Sequence, residues 1–118
     1  MTNKIILAVF VAMTAAACQA DEPSARVFRV DAAEEIAIAR CQRYADCAFG
    51  GDAGQYYDQC VYWTKIAICD GSHASCVEDA TTYAADDVDA CASALSAQAC
   101  RGFVDGVALT ACAAFTLH

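Results

Sequence analysis

Cysteine is the residue type in this chain with the most chemical potential. Thiols can form disulfides, ligate metal ions or act as nucleophiles. Nine cysteines among 118 residues are far above ordinary usage. Eight of them lie in one stretch, at Cys41, Cys47, Cys60, Cys69, Cys76, Cys91, Cys100 and Cys112. Because eight is an even number and short exported domains often depend on disulfides, we predict that these eight form a disulfide scaffold.

One part of this set also has the residue types of a zinc site. Cys69, His73 and Cys76 are close in sequence, and Asp70 lies beside the first of them. An oxidising compartment favours disulfides over thiolate ligands. We therefore predict no metal site and interpret His73 as a residue of an exposed turn.

Residues for catalysis are sparse. Covalent catalysis needs a nucleophile, a base and an orienting group, yet the only histidines are His73 and His118. The sequence has no G-x-S-x-G motif and no C-x-x-C motif. We predict no catalytic residue and no cofactor, and expect a protein that is not an enzyme.

Aromatic residues are concentrated at Tyr56, Tyr57, Tyr62 and Trp63. Few other large apolar side chains are available, so Trp63 is predicted to lie in the core. Tyr57 and Tyr62 fall on other faces of the same predicted helix. Exposed aromatics often carry binding energy, so these two are predicted to form a contact surface for an envelope protein partner.

The charge balance restricts the partners. Fifteen Asp and Glu residues oppose seven Lys and Arg residues, and the formal net charge is −8. A nucleic-acid-binding protein would show a basic stripe, which this sequence lacks. We therefore predict no nucleic-acid partner and expect a soluble exported domain.

The N-terminal segment has the pattern of an export signal. Lys4 precedes an apolar run over residues 5–13, and small residues follow at 14–17. This arrangement predicts a signal peptide over residues 1–17.

Cys18 follows the small residues Ala15, Ala16 and Ala17. This order resembles a bacterial lipobox, so Cys18 is predicted to be lipidated and to anchor the protein in a membrane. Gln19 at the next position indicates the outer membrane. The alternative is ordinary cleavage after Ala17 or Ala20, which would give a secreted protein.

After Cys18, residues 18–30 contain the only proline and are predicted to form a flexible tether. Residues 31–118 then form the cysteine-rich domain. Helical periodicity predicts helices over about 31–48 (with Asp31 as N-cap), 55–68, 75–83, 86–100 and 107–114. No segment alternates like a half-buried strand. The predicted fold is all-α, a small disulfide-bonded bundle of three to five short helices.

Helix geometry excludes Cys41–Cys47, Cys60–Cys69 and Cys91–Cys100, because each pair would be separated by about 9 Å or more along one helix. The easiest pairings close the two helical turns, Cys47–Cys60 and Cys100–Cys112. The pairing of Cys41, Cys69, Cys76 and Cys91 stays open.

The cysteine spacing and its surroundings resemble one family. The matching positions are 39–43 (ARCQR), Cys47, a glycine turn, Tyr57, Cys60, 89–95 (DACASAL), Cys100 and Cys112. They are similar to small cysteine-rich lipoproteins of myxobacteria, a family of unknown function with some members encoded near natural-product gene clusters. The resemblance covers most of residues 31–113. The long segment between Cys69 and Cys91, with the added Cys76, departs from the pattern.

The resemblance implies a location and a fold type but no reaction. Together with the residues, it leads to the expectation of a non-catalytic outer-membrane lipoprotein that serves as an interaction or structural module. The alternative is a secreted effector, inhibitor or small-molecule-binding protein. The fate of Cys18 distinguishes the two.

Overall fold

The structure is a computed structural model that describes residues 25–115 and 117. The elements run in the order β1 (Arg26–Phe28), α1 (Arg29–Phe49), α2 (Gln55–Ile68), α3 (His73–Glu78), β2 (Thr82–Ala84), α4 (Ala85–Ala97), α5 (Cys100–Val104) and a 3₁₀ turn (Thr110–Cys112). Helices dominate this part of the chain, which confirms the all-α prediction. The predicted signal peptide, Cys18 and the tether up to residue 24 lie outside the described residues. No described helix is long and apolar enough to cross a bilayer.

Helix α1 is the element against which the others pack. Its buried face consists mainly of small side chains, namely Ala32, Ala33, Ile36, Ala37, Cys41 and Ala45. Ile36 is fully buried and Ile38 is 44 % exposed, because the buried stripe begins at Ala32 and advances by three or four residues.

The start of α1 also differs from the prediction. Phe28, in an extended conformation, is the N-cap residue, and no side chain caps the helix. Asp31 lies in the first helical turn, where its negative charge still suits the positive end of the helix dipole. The prediction of Asp31 as N-cap is wrong because β1 leads directly into α1.

The two strands pair antiparallel, with Val27 opposite Tyr83. Neither strand was predicted from the sequence, because three residues are too few to show an alternating pattern. Val27 and Val30 pack against the buried core. Residues 26–30, predicted as the end of the tether, therefore belong to the folded domain.

Arg29, at the first position of α1, anchors this edge of the fold. Its guanidinium contacts the carboxylates of Asp70 and Asp79 at 2.9 and 3.0 Å and donates to the carbonyl oxygen of Ile68 at 2.6 Å. Hydrogen bonds from Thr81, and then the one from Arg29, lower the pKa of Asp79 to about 2. This group stabilises the junction between α1, α2 and β2 at neutral pH.

Helix α2 has the predicted bounds. After its end, Asp70 adopts the left-handed conformation with φ 55°, and Gly71 follows at φ 97°. The N–H of Gly71 donates to the carbonyl oxygen of Ile66 at 2.8 Å, the long hydrogen bond of a Schellman motif. Asp tolerates the left-handed conformation better than most residues do.

The second half of the chain is more broken than predicted. The short helix predicted over 75–83 is α3, which begins at His73 with Ser72 as its N-cap and ends at Glu78. Helix α4 ends at Ala97 rather than at Cys100. Gln98 is extended because two hydrogen bonds hold it. Its backbone carbonyl oxygen accepts from Arg43 Nε at 2.7 Å, and its side-chain amide donates to the carbonyl oxygen of Val107 at 3.0 Å.

These tertiary hydrogen bonds override the local preference for continuing α4. As a result, Cys100 begins a separate short helix, α5. The helix predicted over 107–114 is reduced to the 3₁₀ turn at Thr110–Cys112.

The eight clustered cysteines form four disulfides, which confirms the prediction of a disulfide scaffold. The pairs are Cys41–Cys60, Cys47–Cys100, Cys69–Cys76 and Cys91–Cys112. They join α1 to α2, α1 to α5, the end of α2 to α3, and α4 to the 3₁₀ turn. Cys91 and Cys100, which were predicted to share one helix, lie in α4 and α5.

Both predicted pairings, Cys47–Cys60 and Cys100–Cys112, are wrong. In the α1–α2 hairpin, Cys60 lies opposite Cys41, about 9 Å along the helix from residue 47. Cys100 starts a new helix after the break at Gln98 and therefore reaches Cys47 on α1.

Peptide mapping without reduction tests this connectivity. Trypsin together with a protease that cleaves before aspartate releases Cys41–Arg43 and Asp58–Lys65, each with one cysteine. We expect a mass for these two peptides joined through Cys41 and Cys60. A mass joining Asp58–Lys65 to Asp46–Gly51 would instead support Cys47–Cys60 and contradict the structure.

Glu35 on α1 provides a test by pH. A hydrogen bond with Asp89 of α4, followed by burial and the charge of Asp89, raises the pKa of Glu35. The folded state therefore favours protonated Glu35, and stability falls as the pH rises from the ordinary carboxyl pKa through the raised value. Glu35→Gln should raise the free energy of unfolding at pH 7 by up to about 0.5 kcal/mol, since solvent screens this exposed pair.

Urea denaturation at pH 7 and pH 3 measures the effect, which should vanish at pH 3 because Glu35 is then protonated in both states. Glu34→Gln is the matched control, because it removes the same charge from the neighbouring position of α1. Unlike Glu35→Gln, it also removes an ion pair with Lys65. A gain in stability from Glu34→Gln equal to that from Glu35→Gln would show that general charge repulsion is responsible.

Candidate binding groove

A groove of about 490 Å³ runs between α1, α2 and α5. We call it the aromatic groove; it is lined by Arg40, Tyr44, Cys47, Ala48, Tyr56, Gln59, Cys60, Trp63, Phe103 and Val104. Its volume is within the range of small-molecule sites in proteins, and most of its lining is aromatic or apolar. This groove is therefore the candidate functional site.

Helix α2 contributes the aromatic side of the groove. The helix turns Thr64 and Ile68 into the protein, and Trp63, about 100° away from Thr64 around the helix axis, points outwards. Trp63 is 65 % exposed. The prediction of Trp63 as a core residue is wrong, because the core is filled by Ile36, Ile68 and disulfide sulfurs instead.

The two tyrosines predicted as a contact surface have different surroundings. Tyr62 is 58 % exposed and packs edge-on against Trp63, with ring centres 5.2 Å apart. Tyr57 is half-buried beside the glycine turn and does not line the aromatic groove. Neither predicted tyrosine is among the residues that line the aromatic groove, to which α2 contributes Tyr56 and Trp63 instead.

Further aromatic contacts extend the apolar surface from Tyr56. The ring of Phe49 stacks on Tyr56 with centres 5.6 Å apart, and the ring of Tyr44 meets Phe49 edge-on at 5.5 Å. Phe49 and Tyr56 are both exposed. Exposed apolar clusters of this kind are characteristic of binding surfaces on small soluble domains.

Two disulfides fix the walls of the aromatic groove. Cys41–Cys60 joins its α1 and α2 sides, and Cys47–Cys100 joins α1 to α5. The groove is consequently preformed, so a ligand would lose little free energy to ordering of the protein.

Arg40 is the charged residue of the groove. Its Nη1 donates to Thr64 Oγ1 at 3.1 Å, and Thr64 is itself buried next to the sulfurs of Cys41 and Cys60. Burial lowers the pKa of Arg40. Thr64 thus holds the guanidinium in a partly desolvated position, where an anion would be attracted more strongly than in water.

Sequence reasoning missed the role of Arg40 and Phe103. A signal for Arg40 was present, because Arg40, Tyr44 and Ala48 recur at a spacing of four on α1 and so share one face. No such signal exists for Phe103, which reaches the groove only because the chain breaks at Gln98 and Cys100 bonds to Cys47.

The alternative zinc site is incompatible with the observed bonding. Cys69 and Cys76 are joined to each other, and His73 is exposed on α3. In residues 25–115, no group of three or more His, Cys, Asp and Glu side chains is arranged to hold a metal ion.

Substitution of Trp63 tests its placement outside the core. Trp63→Ala should change the free energy of unfolding by no more than about 0.5 kcal/mol, because an exposed side chain loses few contacts. Ile36→Ala is the contrasting buried substitution and should cost about 2–5 kcal/mol. Urea denaturation followed by far-ultraviolet circular dichroism measures both, and a loss above about 2 kcal/mol for Trp63→Ala would restore Trp63 to the core.

No protein-family model, curated protein or solved structure matches this chain. Its function is therefore inferred from its own sequence and geometry.

Proposed function

We propose that this chain is a non-catalytic lipoprotein of a bacterial cell envelope. Lipid on Cys18 holds the disulfide-bonded helical domain at the outer membrane, and the aromatic groove binds another component of the envelope. The groove is the observation that carries the binding role, because aromatic side chains stay exposed there on a covalently fixed frame.

The four disulfides support the export part of the proposal. Structural disulfides persist in oxidising compartments and are rare in the reducing cytosol. Their number and positions fit a domain that folds after export. The export signal expected over residues 1–17 agrees with that location.

Lipidation of Cys18 is supported by the pairing of the other cysteines. All eight of them bond to one another, so no disulfide within the domain requires Cys18. The lipobox-like order of residues 15–18 and the resemblance to small myxobacterial lipoproteins point in the same direction. Two or more acyl chains would give durable membrane attachment.

A secreted small-molecule-binding protein is the second candidate. The size of the aromatic groove favours it, since about 490 Å³ suits a small ligand better than an extended protein partner. Under this alternative, ordinary signal cleavage would release the domain without a lipid.

Cys18→Ser distinguishes the two candidates. In a double-membraned bacterium the unsubstituted protein should fractionate with outer membranes and carry an acyl mass, whereas Cys18→Ser should appear in soluble fractions. Two acyl chains supply most of the membrane affinity, so their loss should be decisive. Fractionation and intact-mass spectrometry measure the outcome.

Gln19→Asp is the matched control, because it leaves Cys18 in place and alters only the residue expected to direct sorting. It should keep the acyl mass and move the protein towards the inner membrane. Equal distributions for Cys18→Ser and the unsubstituted protein would eliminate the lipoprotein and favour the secreted alternative.

A further inference from the structure

Arg40 lies between two apolar cavities. It lines the aromatic groove and also an adjoining cavity of about 380 Å³ that contains Leu95, Leu109 and Phe115. The ring of Phe103 borders both spaces. Among the described residues that line either cavity, Arg40 is the only charged one, although the chain carries fifteen carboxylates.

The surroundings of Arg40 differ from those of the other described cations. Arg29, Arg43 and Lys65 each lie within 4 Å of a carboxylate. Arg26 and Arg101 are exposed to solvent. Arg40 is partly buried, and no carboxylate of residues 25–115 forms an ion pair with it.

A partly buried cation without a counter-ion is unfavourable, because desolvation of the charge is not offset by attraction. The single hydrogen bond to Thr64 uses one of the five N–H groups of the guanidinium. Within the described residues, the only buried side-chain nitrogen or oxygen without a partner is Nε of Arg29. The remaining N–H groups of Arg40 are thus not sealed inside the protein, and they can donate to a ligand.

The groove restricts the charge of that ligand. One guanidinium can neutralise one negative charge, and a fork of N–H groups matches a carboxylate well. A polyanion would meet repulsion from the net charge of −8. The apolar lining around Arg40 favours a ligand whose remaining surface is also apolar.

We propose that the aromatic groove binds a small amphipathic organic carboxylate, with its carboxylate on Arg40 and its flat apolar body against Trp63 and Tyr56. This assignment deepens the proposed function and depends on the groove as its binding site. Thr64 positions the guanidinium, and the two disulfides hold the walls at a fixed separation.

The test uses the full chain with Cys18→Ser, exported and purified with four disulfides, so that neither lipid nor detergent occupies the groove. The probe is 2-naphthoate, and its uncharged isostere 2-naphthamide is the ligand control. Isothermal titration calorimetry gives the affinities. The indole N–H of Trp63 reports the site by NMR without ambiguity, because Trp63 is the only tryptophan.

We expect saturable binding of 2-naphthoate, weaker binding of 2-naphthamide and a shift of the Trp63 indole signal with both. Arg40→Met should weaken 2-naphthoate about ten- to a hundredfold and leave 2-naphthamide unchanged. Arg101→Met is the matched control, because it removes an exposed arginine of α5 and should leave both affinities unchanged.

A second variant keeps the test decisive if Arg40→Met does not fold. Val104 is 72 % exposed at the edge of the groove, so Val104→Glu adds a carboxylate there without disturbing the core. It should weaken 2-naphthoate at least about threefold and spare 2-naphthamide, because like charges repel.

Three results would overturn the assignment: no saturable 2-naphthoate binding below about 1 mM, equal affinity for the two probes, or equal losses in Arg40→Met and Arg101→Met. Binding by the purified protein does not depend on its location in the cell. If the protein is a lipoprotein that does not bind carboxylates, only the binding test gives a negative result. If it is a secreted protein that binds carboxylates, only the fractionation of Cys18→Ser gives a negative result.

Discussion

The small side chains on the buried face of α1 set the main constraint on this structure. Alanines at 32, 33, 37 and 45 allow neighbouring helices to approach closely, but each buries little apolar surface. Five of the buried core residues are disulfide cysteines, namely Cys41, Cys69, Cys76, Cys91 and Cys112. The disulfides therefore fill the core as well as link its helices, and they reduce the entropy of the unfolded chain. A domain built in this way can leave Trp63 and Tyr56 on its surface.

Arg29 and Arg40 both lie on α1 but have different partners. Arg29 is enclosed by Asp70, Asp79 and the carbonyl oxygen of Ile68, and this arrangement closes the edge where the strands meet α1. Arg40, eleven residues later on the same helix, has a hydroxyl for a partner instead of a carboxylate. The first arginine meets its carboxylate partners within the fold, whereas the second has none among residues 25–115 and is positioned to meet one in a ligand. This difference supports a structural role for the first turn of α1 and a binding role for its middle.

The local signals in the sequence were sufficient for the fold class, for the bounds of α2 and for the participation of eight cysteines in disulfides. They were insufficient for the pairing of the cysteines. Along the helix axes Cys60 lies several ångströms from Cys47, and only the packing of α1 against α2 determines which cysteine of α1 lies opposite Cys60. The break at Gln98 depends on the hydrogen bond from Arg43 to the backbone carbonyl oxygen of Gln98, and on the one from the Gln98 side chain to the carbonyl oxygen of Val107. Neither partner lies at a regular helical spacing from Gln98 in the sequence. Trp63 was misplaced because size was taken as a sign of burial, while the actual core is made of smaller groups. Arg40 could have been noticed on its helical face, but its lack of a carboxylate partner is a property of the folded domain.

The observed connectivity has a consequence for proteolysis. The covalent loop closed by Cys47–Cys100 overlaps the loops closed by Cys41–Cys60 and Cys91–Cys112, and together the three loops span every peptide bond between Cys41 and Cys112. One cut by a protease at any of these bonds leaves the two fragments tied together. Exposed turns such as the glycine segment after α1 can thus be nicked without releasing a piece of the domain. At least two cleavages are required before any part of this region is lost.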